Sequence, residues 1–496
     1  MKKLDLIELL LGEPKQSFQE KWFNRLLETN ETPTKESVLK KINGFFRNLW
    51  RRPESQVVIF LLLIRIVFVI FSSWGMDFEF YIEIAQRVLA GERLYTHIDS
   101  THMPLVDLIY IAMYFICPWK SNVFALRIFL KFPFVLTDIG IALAVMKIIE
   151  NEIVKRDYNN QVLDEESYIK VRRSKLVAGY LVAFSLPLIF QTGGGRYDSL
   201  MIFCFAMTIL CMQKNSYFGV AFYAALGSST KYIGIIFLPF VVIWMKKEDI
   251  VPFILGLLLG FLPIYPFLIT IPTDFINAIL LRDSHIAFGL SIWHGIKIIV
   301  NGFSIDHINS IEDTYASANE PWYIQRLYLP MFIIIYLTIF ILFIVRYRRD
   351  FKTKNIADLP LVNQVNLVFI PLFIFALSFK ALNIQVLAWF TPYFALRRKW
   401  KMMLEYSALT LVHGFAWILY SAYNPSTFQT IGNLSTGDNS IIYLLIVKPA
   451  LFITQYIPAV VWVVLILITI LWFVTRTSYE FVMCNKEFLK RDLPLY

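Results

Sequence analysis

Residues 57–74 read VVIFLLLIRIVFVIFSSW, an apolar run about as long as a membrane is thick. A hydrocarbon core about 30 Å across takes about 20 residues of helix. Similar blocks recur at Ile250–Ile271 and Leu329–Val345. Over the 496 residues, 57% are hydrophobic and 17% charged, and mean hydropathy is +0.57. Soluble domains carry about 25% charged residues. The apolar blocks also lack the period-2 alternation of barrel strands. These features define an all-α polytopic membrane protein. They exclude a soluble enzyme, a β-barrel, a disordered chain and a coiled coil.

The net charge of +10, from 47 Lys and Arg against 37 Asp and Glu, sits in short clusters beside the spans. That placement orients a membrane protein and meets anionic lipid, so the bilayer is the expected partner and nucleic acid is not. The clusters are the segment ending in Arg51-Arg52, then Lys170/Arg172/Arg173/Lys175, Lys246-Lys247, Arg346–Lys354, Arg397–Lys401 and the tail after Arg476. Reading all as cytoplasmic gives spans near 56–74, 125–149, 175–191, 199–213, 215–230, 231–245, 250–271, 326–346, 360–379, 383–397, 402–421 and 453–474. The bundle then has about twelve helices, within roughly eleven to thirteen, and both termini are cytoplasmic. Pro104–Trp119 would invert everything after it; it is short, begins with Pro and carries Asp107, so it reads as a re-entrant or interfacial helix. Residues 1–55 read as an amphipathic cytoplasmic segment with no cleavable signal peptide, 56–400 as the catalytic membrane module, and 401–496 as further spans and a tail. Cys117, Cys204, Cys211 and Cys484 are scattered and form no CxxC pair.

Polar residues gather in the segments this topology sends outward. Gly75-Met-Asp77-Phe-Glu79 holds two carboxylates at the membrane surface, suited to a general base, a divalent cation or plain helix capping. An amphipathic helix follows to Gly91, then His97, Asp99, His102 and Pro104; the two histidines lack the compact spacing of a closed zinc site. Thr192-Gly-Gly-Gly-Arg196-Tyr-Asp198 is either a phosphate-facing loop, with Arg196 as its fork, or a tight turn with Arg196 paired to Asp198. Lys231 breaks an apolar hairpin, where it serves a ligand or simply snorkels. Arg282-Asp283-Ser284-His285 opens a long external stretch. Asn383 and Gln385 suit interhelical bonding or sugar hydroxyls, with Trp389 as a stacking surface. Asp138 reads as a partner for Arg127 or Lys131, and His413 as a packed histidine.

In their order these features resemble the GT-C superfamily of integral-membrane glycosyltransferases that use polyprenyl-phosphate sugars. They are most similar to the catalytic subunit of glycosylphosphatidylinositol mannosyltransferase I and related prokaryotic mannosyltransferases. The resemblance covers about residues 56–400: Asp77/Glu79, Gly91-x-x-x-Tyr95, Pro104-Leu105, Lys131-Phe…Asp138, Arg196…Ser199-Leu200, Lys231-Tyr232, Arg282-Asp-x-His285 and Gln385-x-x-x-Trp389. The chain departs from the family where Asp-x-Glu replaces Asp-x-Asp, Gly-Gly-Arg-Tyr replaces Thr-Arg-Gly, and Ser-Thr-Lys-Tyr-Ile-Gly replaces His-x-Lys-Ile-Tyr-Pro.

The resemblance implies inverting transfer of a hexose, mannose foremost, from a polyprenyl- or dolichyl-phosphate donor to a lipid-linked or glycan acceptor on the non-cytoplasmic face. Asp77 is then the base and Glu79 its orienting partner. Arg282, Lys231 and Arg196 hold the donor phosphate, and His285, Asp283, Gln385, Trp389 and His102 contact sugar or acceptor. A divalent cation (Mg or Mn) is admitted at Asp77 and Glu79, as is a small membrane subunit. The setting is a prokaryotic cytoplasmic membrane ahead of the endoplasmic reticulum, although Asn433-Leu-Ser435 is a glycosylation sequon. The rival reading is a transporter or flippase of a lipid-linked sugar, against which stand the missing internal repeat and the single-sided candidates.

Overall fold

A computed structural model describes residues 50–71, 75–98, 100, 102–158, 165–279, 288–300, 322–379, 381–382, 385–422 and 457–489. The chain groups into two compact units, Met1–Gln56 and Val57–Tyr496, and every candidate residue above belongs to the second. The principal helices are α1 Pro53–Phe71, α2 Gly75–Leu89, α3 Pro104–Ile116, α4 Val123–Tyr158, α5 Glu165–Ala183, α6 Leu186–Gly193, α7 Asp198–Gln213, α8 Tyr217–Ser228, α9 Ile250–Gly260, α10 Trp322–Tyr347, α11 Leu361–Ser378, α12 Trp400–Ala422 and α13 Ile457–Leu489. The described strand structure is one two-residue parallel pairing of Phe288–Gly289 with Ala381–Leu382.

Among the described residues, five helices are long and apolar enough to cross a membrane: α1, α4, α10, α11 and α13. The number rises to six if α5 and α6, bent by 50° at their junction, form one span. Several spans expected as single helices are instead broken, and proline or glycine sits at each break. The stretch 231–245 becomes a 3-10 turn at Tyr232–Ile235 and a short helix at Leu238–Val242. The stretch 383–397 becomes Val386–Trp389 and Thr391–Leu396, restarting with Pro392 in its first turn. In 250–271, α9 ends at Gly260 and a second helix, Tyr265–Thr270, begins with Pro266 in its first turn.

The α5–α6 bend has a local cause. Pro187 has no N–H to give the carbonyl four residues back, that of Ala183. Arg65 of α1 supplies the donor instead, its Nη1 lying 3.0 Å from the Ala183 oxygen. Ser185 at the bend also hydrogen-bonds the Thr391 hydroxyl at 2.9 Å. Elsewhere small residues set the packing distance. A Cβ at Gly256 or Gly260 of α9 would strike the Phe218 or Phe222 carbonyl of α8, and Ala221 and Ala225 face them. Spacing small residues by four on both helices lets the backbones touch, as membrane helix pairs require.

Burial separates centre from rim. In α11, 83% of the spanning window is buried, against 6% in α10, so α11 is the axis of the bundle and α10 lies at its edge. Phe373 of α11 stacks on Phe390 at 4.6 Å and meets Tyr393 edge-on. Ile334, Leu337 and Ile341 of α10 and Val251, Ile254 and Leu258 of α9 are exposed apolar surface suited to lipid.

The ends of the helices sort into two groups. At one end Glu79 meets Arg127, Leu105 N–H donates to the Ser229 carbonyl, and Tyr110 donates to the Gly195 carbonyl. At the other, Lys175 meets Glu150, Lys155 meets the Ala357 carbonyl, and Lys399 meets Glu480. The first group carries the described candidate site residues; the second carries the basic clusters at 170–175 and 397–401.

Candidate functional site

The acidic pair opens α2. Asp77 lies in the first turn of that helix; its side chain is outside the described set. Glu79 is exposed and pairs with Arg127 Nη2 of α4 at 2.8 Å. Such an exposed pair contributes little stability. It does commit the Glu79 carboxylate to a cation on a neighbouring helix.

The densest convergence surrounds Lys231. Its Nζ lies 2.9 Å from Asp198 Oδ1 and 3.2 Å from Gln385 Oε1. The same Asp198 oxygen accepts from Trp389 Nε1 at 2.8 Å. The ammonium lies over the Trp389 ring at 4.8 Å and the Tyr197 ring at 5.8 Å. Asp198 is fully buried, while Lys231 keeps 22% of its side chain exposed. The second Asp198 oxygen is buried without a hydrogen-bond partner among the described residues. Three expected residues, Lys231, Gln385 and Trp389, thus meet although more than 150 positions separate the first from the others in sequence. Trp389 is a wall of this cradle: its ring is covered by the ammonium and its N–H is spent on Asp198.

The glycine run explains why Asp198 arrives there. Gly195 takes φ +68°, a left-handed conformation that suits glycine. The chain turns back at that point, Arg196 N–H bonding to the Gln191 carbonyl at 2.8 Å, and α7 starts at Asp198. Asp198 pairs with Lys231, which replaces the alternative of an Arg196–Asp198 pair.

A second cluster ties this turn to α2. Tyr81 Oη and His102 Nε2 are 3.0 Å apart. Tyr81 stacks on Tyr110 at 4.1 Å with the rings 7° from parallel, and the Tyr110 hydroxyl donates to the Gly195 carbonyl. Tyr197 presents its ring at near right angles to Tyr81 and His102. Behind His102, Asp107 of α3 is fully buried, accepts from Ser100 Oγ at 2.7 Å, and lies 3.9 Å from His102 Nδ1. Burial pushes the Asp107 carboxyl up to about 7, against the pull of its bonds to Ser100 and Tyr95. Tyr95 takes φ +67° and its hydroxyl donates to the His102 carbonyl at 2.8 Å. Burial together with the Asp107 carboxylate raises the Tyr95 phenol far above its ordinary value, so it stays a donor.

Asp138 has a different partner from those expected. Its Oδ2 binds Arg65 Nε and the Thr192 hydroxyl, and both charges are fully buried. Arg127 pairs with Glu79, and Lys131 Nζ caps the Val69 carbonyl near the end of α1. The reason is register: Arg65 reaches Asp138 at mid-bundle, whereas Arg127 and Lys131 stand two to three turns nearer the α2 end of α4. Sequence reading missed Arg65, although an arginine inside an apolar span is a functional signal by default. It also missed Tyr81 and Tyr110, which resemble ordinary aromatic filling until their rings are seen stacked. Arg282, Asp283, His285, Asp99 and Asn383 lie outside the described residues. His97 Nδ1 accepts from Arg93 N–H at 3.1 Å while His102 serves Tyr81, so the two histidines have separate partners. His413 is buried in α12.

Among the described residues, no three of His, Cys, Asp and Glu gather to hold a metal ion. Of the acidic pair, Glu79 is bound to Arg127 and the Asp77 side chain is outside the described residues. No protein-family model matches the chain, and comparison with curated proteins finds no match.

Proposed function

We propose that this chain is a multi-pass glycosyltransferase of GT-C type, moving a hexose from a polyprenyl-phosphate donor to a lipid-linked or glycan acceptor. The supporting observation is the Lys231 cradle. A single ammonium, steadied by Asp198, Gln385 and Trp389, keeps part of its surface open at the end of the bundle that carries the acidic helix. A lipid phosphate entering from the bilayer needs such a cation, because negative charge builds on it as the sugar leaves.

In this reading the acceptor hydroxyl oxygen attacks the anomeric carbon and Asp77 takes its proton. The bond from that carbon to the phosphate oxygen breaks, and polyprenyl phosphate leaves against Lys231, with Arg196 and Arg282 assisting. A positioned base typically contributes about 10²–10⁴-fold. The reaction is written without a metal, because Lys231, Arg196 and Arg282 can supply the positive charge the leaving phosphate needs. The bundle would reach about twelve crossings by counting the shorter and broken helices as spans. By the positive-inside rule the basic-cluster end is cytoplasmic, and the acidic helix faces the exterior or a lumen.

The test incubates purified protein with radiolabelled polyprenyl-phosphate hexoses and a membrane acceptor extract. Labelled glycolipid or glycan product is expected from the wild type, and none from Asp77→Asn, with donor binding intact. A fully active Asp77→Asn variant refutes the assigned base. Uptake of labelled lipid into vesicles with no product instead identifies a carrier.

A further inference from the structure

The acidic helix and the Lys231 cradle stand on separate stretches of chain, and a run of ring contacts spans the distance between them. His102 Nε2 meets the Tyr81 hydroxyl at 3.0 Å, Tyr81 lies flat on Tyr110 at 4.1 Å, and the Tyr110 hydroxyl closes on the Gly195 carbonyl. Gly195 is three residues before Asp198, the carboxylate that holds Lys231. The Tyr197 ring stands edge-on to Tyr81 at 6.3 Å and to His102 at 5.5 Å, with the Lys231 ammonium 5.8 Å from its centre. We propose that His102, Tyr81 and Tyr110 form a positioning strut that fixes α2, and with it Asp77, relative to the cradle. The three side chains are not offered as groups that touch substrate.

Each link supports this role. Tyr81 and Tyr110 are buried at 3% and 1% exposure, which leaves no ring face open for a sugar. Their near-parallel overlap resists sliding, because offset-stacked aromatic pairs add attraction beyond their buried area. Gly195 offers its carbonyl in a turn fixed by φ +68°, so the Tyr110 bond ends on a rigid point. At the far end two hydrogen bonds hold the His102 backbone, and a carboxylate stands near its ring. Asp107 lies by Nδ1, Ser100 Oγ accepts from its backbone N–H at 3.2 Å, and Tyr95 donates to its carbonyl. Tyr81 Oη and His102 Nε2 share one hydrogen bond in either direction, since the hydroxyl can donate or accept and the ring nitrogen does the converse. The strut therefore runs from the base of α3, through α2, to the start of α7. A site whose acid and cation sit on different segments needs such a brace, because displacements near 1 Å cost large factors in rate.

The inference rests on the proposed transferase only for its kinetic arm. The first measurement is amide hydrogen exchange of residues 75–89, which needs no substrate. Tyr110→Phe keeps the ring stack and removes one hydroxyl; His102→Leu removes the partner of the Tyr81 hydroxyl; His102→Gln retains an amide that can bond to Tyr81. Exchange in 75–89 should rise roughly fivefold in Tyr110→Phe and His102→Leu, the equilibrium effect of one hydrogen bond. His102→Gln should stay within about twofold of wild type, since its amide replaces the ring nitrogen as donor or acceptor. Unchanged exchange in both Tyr110→Phe and His102→Leu overturns the strut, as does a His102→Gln variant as loose as His102→Leu. In the kinetic arm, Tyr110→Phe should lower kcat and leave the donor KM unchanged; a rise in KM alone would make Tyr110 a binding residue and overturn its role here. If the exchange pattern holds while the wild type makes no product, the strut stands and the transferase reading falls.

Discussion

Lys231 and Asp198 are unequal partners, and replacing each in turn measures that inequality. Lys231→Ala leaves a fully buried carboxylate with the Trp389 indole N–H as its described hydrogen-bond donor. A buried ion stripped of its counter-charge costs roughly 3–5 kcal/mol. Asp198→Asn keeps an oxygen for Trp389 and leaves an ammonium that reaches water through its 22% exposed side chain. Its cost is that of lost charge-assisted bonding, about 1.5–3 kcal/mol. Independent effects would sum to roughly 4.5–8 kcal/mol in the double variant. The Lys231→Ala, Asp198→Asn protein removes both charges together and should lose no more than about 3 kcal/mol, a coupling of at least about 1.5 kcal/mol. The assay is reversible unfolding of the four proteins in one detergent, followed by tryptophan fluorescence. Additive losses, or an Asp198→Asn cost equal to that of Lys231→Ala, would show that the cradle is not a buried ion pair and would remove the electrostatic basis of the site.

Gly260→Leu should cost several kcal/mol or prevent folding, because its side chain would enter the Phe222 carbonyl and the Ala225 methyl of α8; a melting temperature within 2–3 °C of wild type, on the order of 1 kcal/mol or less, would contradict that packing. Asp107 adds a pH dependence with a definite sign. Its carboxyl is raised to about 7 by burial, so its contribution is full below the ordinary carboxylate range and is lost as pH rises through about 7. Between pH 8 and pH 6 the wild type should gain about 1 kcal/mol that Asp107→Asn does not, and parallel pH curves for the two proteins would refute it. Glu79→Gln breaks the exposed pair with Arg127 and should change stability by less than about 1 kcal/mol. A larger loss on thermal unfolding would mean that the pair braces α2.

The apolar blocks and their basic flanks were enough to define a helical membrane protein, since membrane thickness sets a length scale visible in one dimension. The same logic marked Lys231, Gln385 and Trp389, because polar and amphipathic residues in apolar surroundings stand out singly. Which of them touch was decided in three dimensions. Asp198 pairs with a lysine 33 positions away and a tryptophan 191 positions away, and no local pattern encodes such separations. Arg65 is the clearest case. Its two partners, Asp138 and the Ala183 carbonyl, come together only when the α5–α6 bend at Pro187 frees that carbonyl beside α1. Hydropathy fixes what a residue must avoid, whereas packing fixes what it meets. Tyr81 and Tyr110 look alike in sequence until the fold lays one ring on the other.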